Sequence, residues 1–542
     1  MKICPTCRRS YATEGLNFCR DDGTPLQNAS SSLAEGRTKL IGGDDAPRDD
    51  FEPTKVFSPP PLRGNLAPTA PFGDAPRRRA ARKAVTSLAI LPLENASDDP
   101  EMEYLSDGIT ESIINTLSQL PKLRVMARST VFGYKGKSVN PRAVGRELGV
   151  RAVLTGRVIQ FGDRLVIKTE LVDVNDGAQL WGEHYKRKFS DIFEVEEEIA
   201  REITNKLRLK LSGEEKKKLV KRYTDDSEAY QLYLKGRYHW NRRTREGLRK
   251  GISYFEQAIA TDREYALAHA GLGDSYILLA YYSYLAPVEA FEKAKQAALE
   301  ALDIDATLAE AHTALAEVKL HYDWDWAGSE SEFKRAIELR PNYAHAHHWY
   351  SHLLVALGRF EESFAESKKS EELEPLNLII NAHLGWHFHY ARDFDRAIEQ
   401  CQKTIEMEPN FGVAHFYIEP AYEQKQRYDE AVTEAHKAVE LLGDSPEAVA
   451  CLGHAYATSG QKDQARRVLE DLRARAKKSY VSAYSLAVIH MGLGDKEQAL
   501  HWLERAYEER SSWLVYLRVD PRFDSLRSDA RLIKILQAMN LA

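Results

Sequence analysis

Three cysteines and one aspartate crowd the first residues of the chain at a spacing that can hold a metal ion. Cys4 and Cys7 are separated by two residues, eleven more lead to Cys19, and another two lead to Asp22. Two thiolates so placed can share one tetrahedral ion, a second pair completes the shell, and a carboxylate is an acceptable if weaker fourth ligand. A segment of about 26 residues cannot build a core without a staple, so one zinc ion held by Cys4, Cys7, Cys19 and Asp22 is the expected cofactor. Other chemically suggestive sets read more plainly. Gly133 to Ser138 ends in Gly-Lys-Ser like a phosphate loop, but Val131 stands where the first glycine belongs, and the stretch is read as an ordinary loop. Asp107 and Glu111 favour a helix N-terminus and are read as its cap and first-turn acids, not as a catalytic pair. His345, His347, His348 and His352 fall in one helical segment and His383, His387 and His389 in another. With no fixed acidic or thiol partner in the sequence, these rings are read as an exposed, hydrated groove. Cys401 and Cys451, in helical sequence, are read as small buried packing residues.

The elements that position these residues follow from length and pattern. A chain of 542 residues implies about three or four domains. Its 75 basic and 81 acidic residues leave a net charge of −6, which argues against a protein devoted to nucleic acid or a membrane surface. With 43% apolar and 29% charged residues the chain can bury a real core. No apolar run is long enough to span a membrane and the start lacks a secretory pattern, so a cytoplasmic location is expected. Residues 27–84 read as a disordered linker, because eight of the 21 prolines lie between 46 and 76. The basic run from Arg77 to Lys83 closes it and is read as a solvated junction.

From residue 85 strands and helices alternate. Leu88 to Pro92 reads as a strand, and Ile109, Ile113, Leu117 and Leu120 mark one helix face capped at Ser106 or Asp107. Leu123 to Ala127 reads as a second strand and Pro141 to Leu148 as a short helix opened by proline. Three strands follow at about 152–160, 165–172 and 179–188, turned at Gly162 and at Asp176-Gly177. A charged helix from Asp191 to about Lys210 closes an α/β domain with a mixed sheet, 85–212. Beyond it the chain repeats. Trp326, Phe360, Phe394, Tyr428, Lys462 and Lys496 are each 34 residues apart, and three residues after each stands Ser329, Ser363, Ala397, Ala431, Ala465 or Ala499. A small residue at a fixed phase marks where two helices of each unit approach closely. Pro341, Pro375 and Pro409 keep the same step. About eight units fill 227–510, and 511–542 is read as a capping tail.

That period, with Leu384-Gly385 and Phe388, and Leu452-Gly453 with Tyr456 and Gly460, resembles the tetratricopeptide repeat family. Glu419-Pro420 and the insertion Tyr281 to Tyr284 depart from its pattern, so those units are expected to be irregular. The first 26 residues, through Phe18-Cys19-Arg20-Asp21-Asp22-Gly23, resemble small zinc ribbons of bacterial signalling proteins. Ala89 to Asn95, Tyr104 to Glu111, Phe132 to Lys137 and Leu180 to Tyr185 resemble the TolB amino-terminal-like domain. The resemblance, which extends to Asp520-Pro521-Arg522-Phe523, implies kinship with bacterial proteins that join a signalling module to repeats. These include serine/threonine kinases, proteins labelled adenylate cyclases, and winged-helix transcription regulators. The kinase glycine-rich loop and His-Arg-Asp loop are missing from this sequence, and the region before 85 is too short for a kinase or cyclase domain.

The sequence therefore predicts a non-enzymatic signalling adaptor that docks a protein or peptide in a repeat groove. The rival is a ligand-sensing regulatory subunit built around the α/β domain, and a third reading has the ribbon and Arg77 to Lys83 touching DNA. Counting by resemblance to the repeat family from the fixed small residue, the concave wall would carry His348, His352, Trp386, His389, Phe416, Glu423, His454 and Tyr484. Such a stripe of rings on a preformed scaffold could hold a peptide at modest entropic cost. Its histidines would make binding respond to pH between about 5.5 and 7.5.

Overall fold

The computed structural model describes residues 2–3, 10–11, 27–28 and 85–541, apart from 98 and 444. The chain divides into two compact units, Met1–Arg78 and Arg79–Ala542. In the first, Lys2–Ile3 pairs antiparallel with both Ser10–Tyr11 and Gln27–Asn28. Cys4, Cys7, Cys19 and Asp22 lie outside the described residues, as does the linker from 29 to 84.

The second unit opens with a mixed sheet. Its strands are β1 (Ser87–Ile90), β2 (Glu94–Asn95), β3 (Arg124–Val125), β4 (Ala152–Phe161), β5 (Arg164–Asp173) and β6 (Gln179–Lys188). The spatial order is β3-β1-β4-β5-β6, with β2 also on β4. β1 lies parallel to both neighbours, and Leu88, Ala89 and Ile90 are buried, as a strand covered on both faces must be. β4, β5 and β6 form an antiparallel meander, reversed at Gly162 and Gly177, whose φ angles of 58° and 75° suit residues without a Cβ. Helices α1 (Glu103–Ser118) and α4 (Ile192–Lys206) pack on one another beside the sheet; α2 (Arg128–Val131) and α3 (Pro141–Glu147) are short. One boundary differs from expectation. Asp99 accepts the Glu101 N–H and opens a 3-10 turn at Pro100, so the helix starts upstream and Ser106 and Asp107 sit inside it, buried.

After a short helix α5 (Gly213–Leu219), eight antiparallel helix pairs follow. They are α6 (Ser227–Trp240) with α7 (Arg245–Thr261), α8 (Ala266–Tyr281) with α9 (Pro287–Ile304), and α10 (Ala309–Val318) with α11 (Trp326–Leu339). Then come α12 (Ala344–Ala356) with α13 (Phe360–Leu373), α14 (Leu378–Tyr390) with α15 (Phe394–Met407), and α16 (Gly412–Gln424) with α17 (Tyr428–Leu442). The last two are α18 (Pro446–Thr458) with α19 (Lys462–Arg475), and α20 (Ala483–Leu493) with α21 (Lys496–Glu508). The six small residues of the repeat phase are all fully buried. At the two serine positions the hydroxyl also donates across the pair, Ser329 Oγ to the Ala316 carbonyl at 2.8 Å and Ser363 Oγ to the Ser351 carbonyl at 3.0 Å. Thus the close approach that demands a small side chain is satisfied by alanine through packing and by serine through an added hydrogen bond.

The chain then turns inward. Two 3-10 segments, Ser512–Tyr516 and Pro521–Leu526, and a last helix α22 (Ala530–Ala538) join the apolar cluster that holds residues of α6 to α8, α10 to α12, α14 to α17, α20 and α21. Among the described residues no helix is long and apolar enough to cross a membrane.

Candidate functional site

The first helices of successive repeats turn their ring-bearing face inward, and there the structure corrects the open groove. His348, His352, Trp386, His389, Glu423, His454 and Tyr484 are all buried, and Phe416 is partly buried against the same cluster. The physical reason is the tail. Trp513 lies 5.4 Å from Tyr281 of α8, 5.8 Å from Trp386 of α14 and 6.1 Å from Phe416 of α16, ring to ring. Tyr516 stands 4.7 Å from the Trp386 ring, and its hydroxyl meets His352 Nδ1 at 3.3 Å. The Tyr484 hydroxyl donates to Asp520 at 2.6 Å, and Ser482 shares a 2.6 Å hydrogen bond with Ser511. Leu514, Val515, Tyr516 and Leu517 expose no surface. The wall that was to receive a peptide is occupied by the protein's own segment 511–527, which spans from the second repeat to the eighth. A direct bond closes the ring further, since Ser283 in the irregular loop after α8 donates to Glu447 of α18.

Inside this closure burial acts on four of the histidines. Burial first, and then repulsion from Arg243, drives His348 down to about 3; burial and the neighbouring rings drive His352, His383 and His387 well below the usual imidazole range. Burial thus disfavours the charged form of these four rings in the folded protein, contrary to the expectation for a hydrated stripe. The rings pack on each other instead: His348 lies 4.9 Å from His383 and 4.7 Å from His352. Farther along, Glu423 accepts from His454 Nδ1 at 2.8 Å and from the Thr458 hydroxyl at 2.9 Å. Beside it, burial and then the charge of Glu423 push Glu419 well up, and the Cys451 thiol donates to it. Cys451 is thus a hydrogen-bonding partner as well as a packing residue, whereas buried Cys401 sits under Gly385, where a Cβ would come within 2.5 Å of its sulfur.

A second polar locus lies where the α/β domain meets the repeats. Glu111 on α1 forms an ion pair with Arg128 at 2.9 Å, and it accepts from Arg237 of α6 at 2.8 Å and from Asn241 at 3.1 Å. Burial raises this carboxyl, but the two guanidinium groups outweigh it and hold the group below the ordinary glutamate range. Asp107 pairs with Lys135 at 2.6 Å, so the false phosphate loop supplies a lysine to an acid of α1. Arg340 of the third repeat reaches back to Ser118 at 2.7 Å and Asn115 at 3.0 Å, and Tyr230 donates to Glu196 of α4 at 2.7 Å. At Gly108 a Cβ would lie 2.8 Å from Leu234, so α1 and α6 touch at a point that only glycine allows. The two acids of α1 are therefore structural clamps. A cavity of about 270 Å³ runs along this seam, lined among others by Arg128, Arg237, Arg243, Asp274, His345 and His383. On its wall burial raises Asp274 to about 7, and behind it burial and the charge of Asp274 lift Glu317 well above its usual value.

Residues 83–202 match the model of the HilA/YgeH-like transcriptional regulator family, second domain. Residues 421–484 and 480–512 match two tetratricopeptide repeat models. With the eight helix pairs, these matches establish that the C-terminal region carries tetratricopeptide repeats, an architecture that serves protein interaction. A protein of Rhizobium meliloti (strain 1021) named "Putative adenylate cyclase 3" is 37% identical over 238 residues, which is 43% of this chain and 40% of that protein. This chain therefore spans well under half the length of that relative. Among solved structures, yeast Tom70 is similar at 15% identity over 65% of this chain and 82% of its own, with a TM-score of 0.37. The Pseudomonas aeruginosa pilF structure is similar at 20% identity over 38% of this chain and 93% of its own, with a TM-score of 0.29.

Proposed function

We propose that the protein is a cytoplasmic, non-enzymatic regulatory adaptor that docks a partner protein and couples it to the state of its α/β domain. The repeats supply the docking scaffold. The α/β domain is read as TolB amino-terminal-like, and the first residues as a ribbon holding one zinc ion through Cys4, Cys7, Cys19 and Asp22. The observation that carries the reading is the charged clamp between the domains. Because Glu111, Arg237 and Arg340 tie α1 to the first and third repeats, a change in the α/β domain is transmitted to the solenoid without a flexible joint. The filled interior moves the docking surface to the outer faces of the repeats, unless a partner displaces segment 511–527. Affinity capture with the full chain, read by mass spectrometry, tests this. A partner retained by wild type and lost when Glu111 is changed to Gln supports the coupling, and capture indifferent to Glu111 opposes it.

The seam cavity favours the second reading, a ligand-sensing regulatory subunit. Arg243 bonds the Tyr282 hydroxyl at 3.4 Å and lies over the face of Trp240 on the cavity wall, where its guanidinium can meet an anionic ligand. Thermal-shift measurement with ATP, GTP and cyclic AMP separates the two readings. A saturable rise of the melting temperature that is lost in Arg243→Ala supports sensing.

A further inference from the structure

Three of the interior histidines pack ring to ring and also bring their nitrogens together. His348 and His352 stand one turn apart on α12, and His383 comes from α14 of the next repeat. Each offers one ring nitrogen within 4.8 Å of the other two. His383 Nδ1 and His348 Nε2 share a 3.0 Å hydrogen bond that an ion would replace, since that separation is close to the roughly 3.3 Å between two imidazole nitrogens on one tetrahedral zinc at about 2.05 Å each. His352 exposes no surface, and its Nε2 has no hydrogen-bond partner. An orphaned nitrogen so deeply buried is destabilising unless something binds it.

The far sides of two of these rings are held. Tyr417 meets His383 Nε2 at 3.1 Å and Tyr516 meets His352 Nδ1 at 3.3 Å. A hydroxyl on the outer nitrogen fixes the ring and leaves the inner nitrogen's lone pair free, the arrangement that orients imidazole ligands around metals. Both hydroxyls can accept the outer N–H, so the two rings can present lone pairs together. Two neighbouring groups are committed elsewhere: His345 Nε2 takes the Trp349 indole N–H at 3.1 Å, and Glu423 is already bonded to His454 and Thr458. His348 and His383 also line the 270 Å³ seam cavity, which gives an ion a route and room for a water on the remaining position.

We propose that His348, His352 and His383 form a binding site for one divalent transition ion of borderline softness, three imidazoles with a fourth position facing the cavity. Neutral imidazole suits zinc and its neighbours and disfavours calcium and magnesium. The site is separate from the ribbon, and the tail completes it through Tyr516, so ion binding and closure of the interior reinforce each other.

The test uses the full chain carrying Cys4→Ser, Cys7→Ser and Cys19→Ser, which removes any ion at the ribbon. The protein is stripped with EDTA, desalted and titrated with zinc chloride by calorimetry, with magnesium chloride as the contrast. One zinc per chain, no response to magnesium, and loss of the zinc step in His352→Gln are expected. Tyr417→Phe should keep the stoichiometry and weaken binding about 10- to 100-fold. A zinc content near zero, or a stoichiometry unchanged in a folded His352→Gln, overturns the site. If His352→Gln does not fold by circular dichroism, Tyr417→Phe decides: weakened binding upholds the site and unchanged binding overturns it.

Discussion

The seam between the α/β domain and the repeats and the interior of the repeats are both closed, buried and polar, yet they are held by opposite chemistry. At the seam, full charges are matched: Glu111 sits between Arg128 and Arg237, and Asp107 beneath Lys135. In the interior, imidazoles, indoles and phenols meet ring to ring, and the acids there are bonded to their neighbours, Glu419 by Cys451, Glu423 by His454 and Asp520 by Arg522. The difference teaches where each surface gets its specificity. A charged seam fixes orientation through pairs that are expensive to break one at a time. A ring-lined interior fixes it by shape, through stacking and edge contacts worth about 0.5–1.5 kcal/mol each beyond their area.

The largest effect should come from removing what fills the interior. A chain ending at Arg510 loses Trp513, Leu514, Tyr516, Leu517 and Phe523 from the core. At about 1.5–3 kcal/mol per buried side chain, the loss rivals the 5–15 kcal/mol stability typical of a whole domain. The expected outcome is loss of the cooperative melting transition of the repeats by circular dichroism. If the shortened chain melts like the full one, the interior is a groove and the comparison fails.

Acid should come next, and it should open the interior before the seam. His321 is pushed down to about 4 and His348 and His389 to about 3, in each case by burial first, and His345, His352, His383 and His387 are lowered as well. Their folded values lie below the unfolded value of about 6.5, so the stability tied to their neutrality is intact above that pH and is lost as pH falls. Each group contributes a slope of about 1.4 kcal/mol per pH unit once below the unfolded value. Seven together should unfold the repeats within about one to two units under pH 6.5. Glu111 is held low by its arginines and does not contribute over that range. Tryptophan fluorescence from Trp349, Trp386 and Trp513 against pH checks this, and stability flat from pH 7 to 5 would contradict the lowered values.

Breaking the seam costs less but is sharper. Arg237→Ala leaves Glu111 buried with one cation fewer, and about 3–5 kcal/mol of destabilisation is expected in urea melts. Adding Glu111→Gln should restore part of it, whereas no such rescue exists for a ring removed from the interior. The smallest effect belongs to a pair in neither region. Arg427 and Glu430 bond across one turn of α17 in solvent, and Arg427→Ala should move the melting temperature by no more than about 1–2 °C.

The outer architecture was legible because it is periodic. A small residue every 34 positions reports helix contact directly, and the meander from 152 to 188 follows from alternation and two turn glycines. What fills the interior was not legible. Ser512–Tyr516 and Pro521–Leu526 are short 3-10 turns without helical or strand period, and their burial depends on partners such as Tyr281, more than two hundred residues away in the chain. The histidines carried half of the needed signal. The spacing of His348 and His352 put them on one face, but the ring that faces them, His383, belongs to another repeat, and Tyr516 to the tail. Asp107 and Glu111 were likewise visible as a pair one turn apart, while Arg128 and Arg237, which give the pair its role, are brought up only by the fold.

The closure by segment 511–527 also sets an order of events during synthesis. Repeat arrays ordinarily fold neighbour by neighbour as they leave the ribosome, each unit stabilised by the one before. Here the rings of α8, α12 and α14 await residues translated more than 120 codons after α14 is complete. Until then the array exposes tryptophan, tyrosine and histidine faces that bind chaperones or each other. A chain truncated by nonsense mutation or ribosome stalling anywhere in the repeats remains visibly unfinished to the quality-control machinery, so synthesis through segment 511–527 becomes the condition for a folded repeat array.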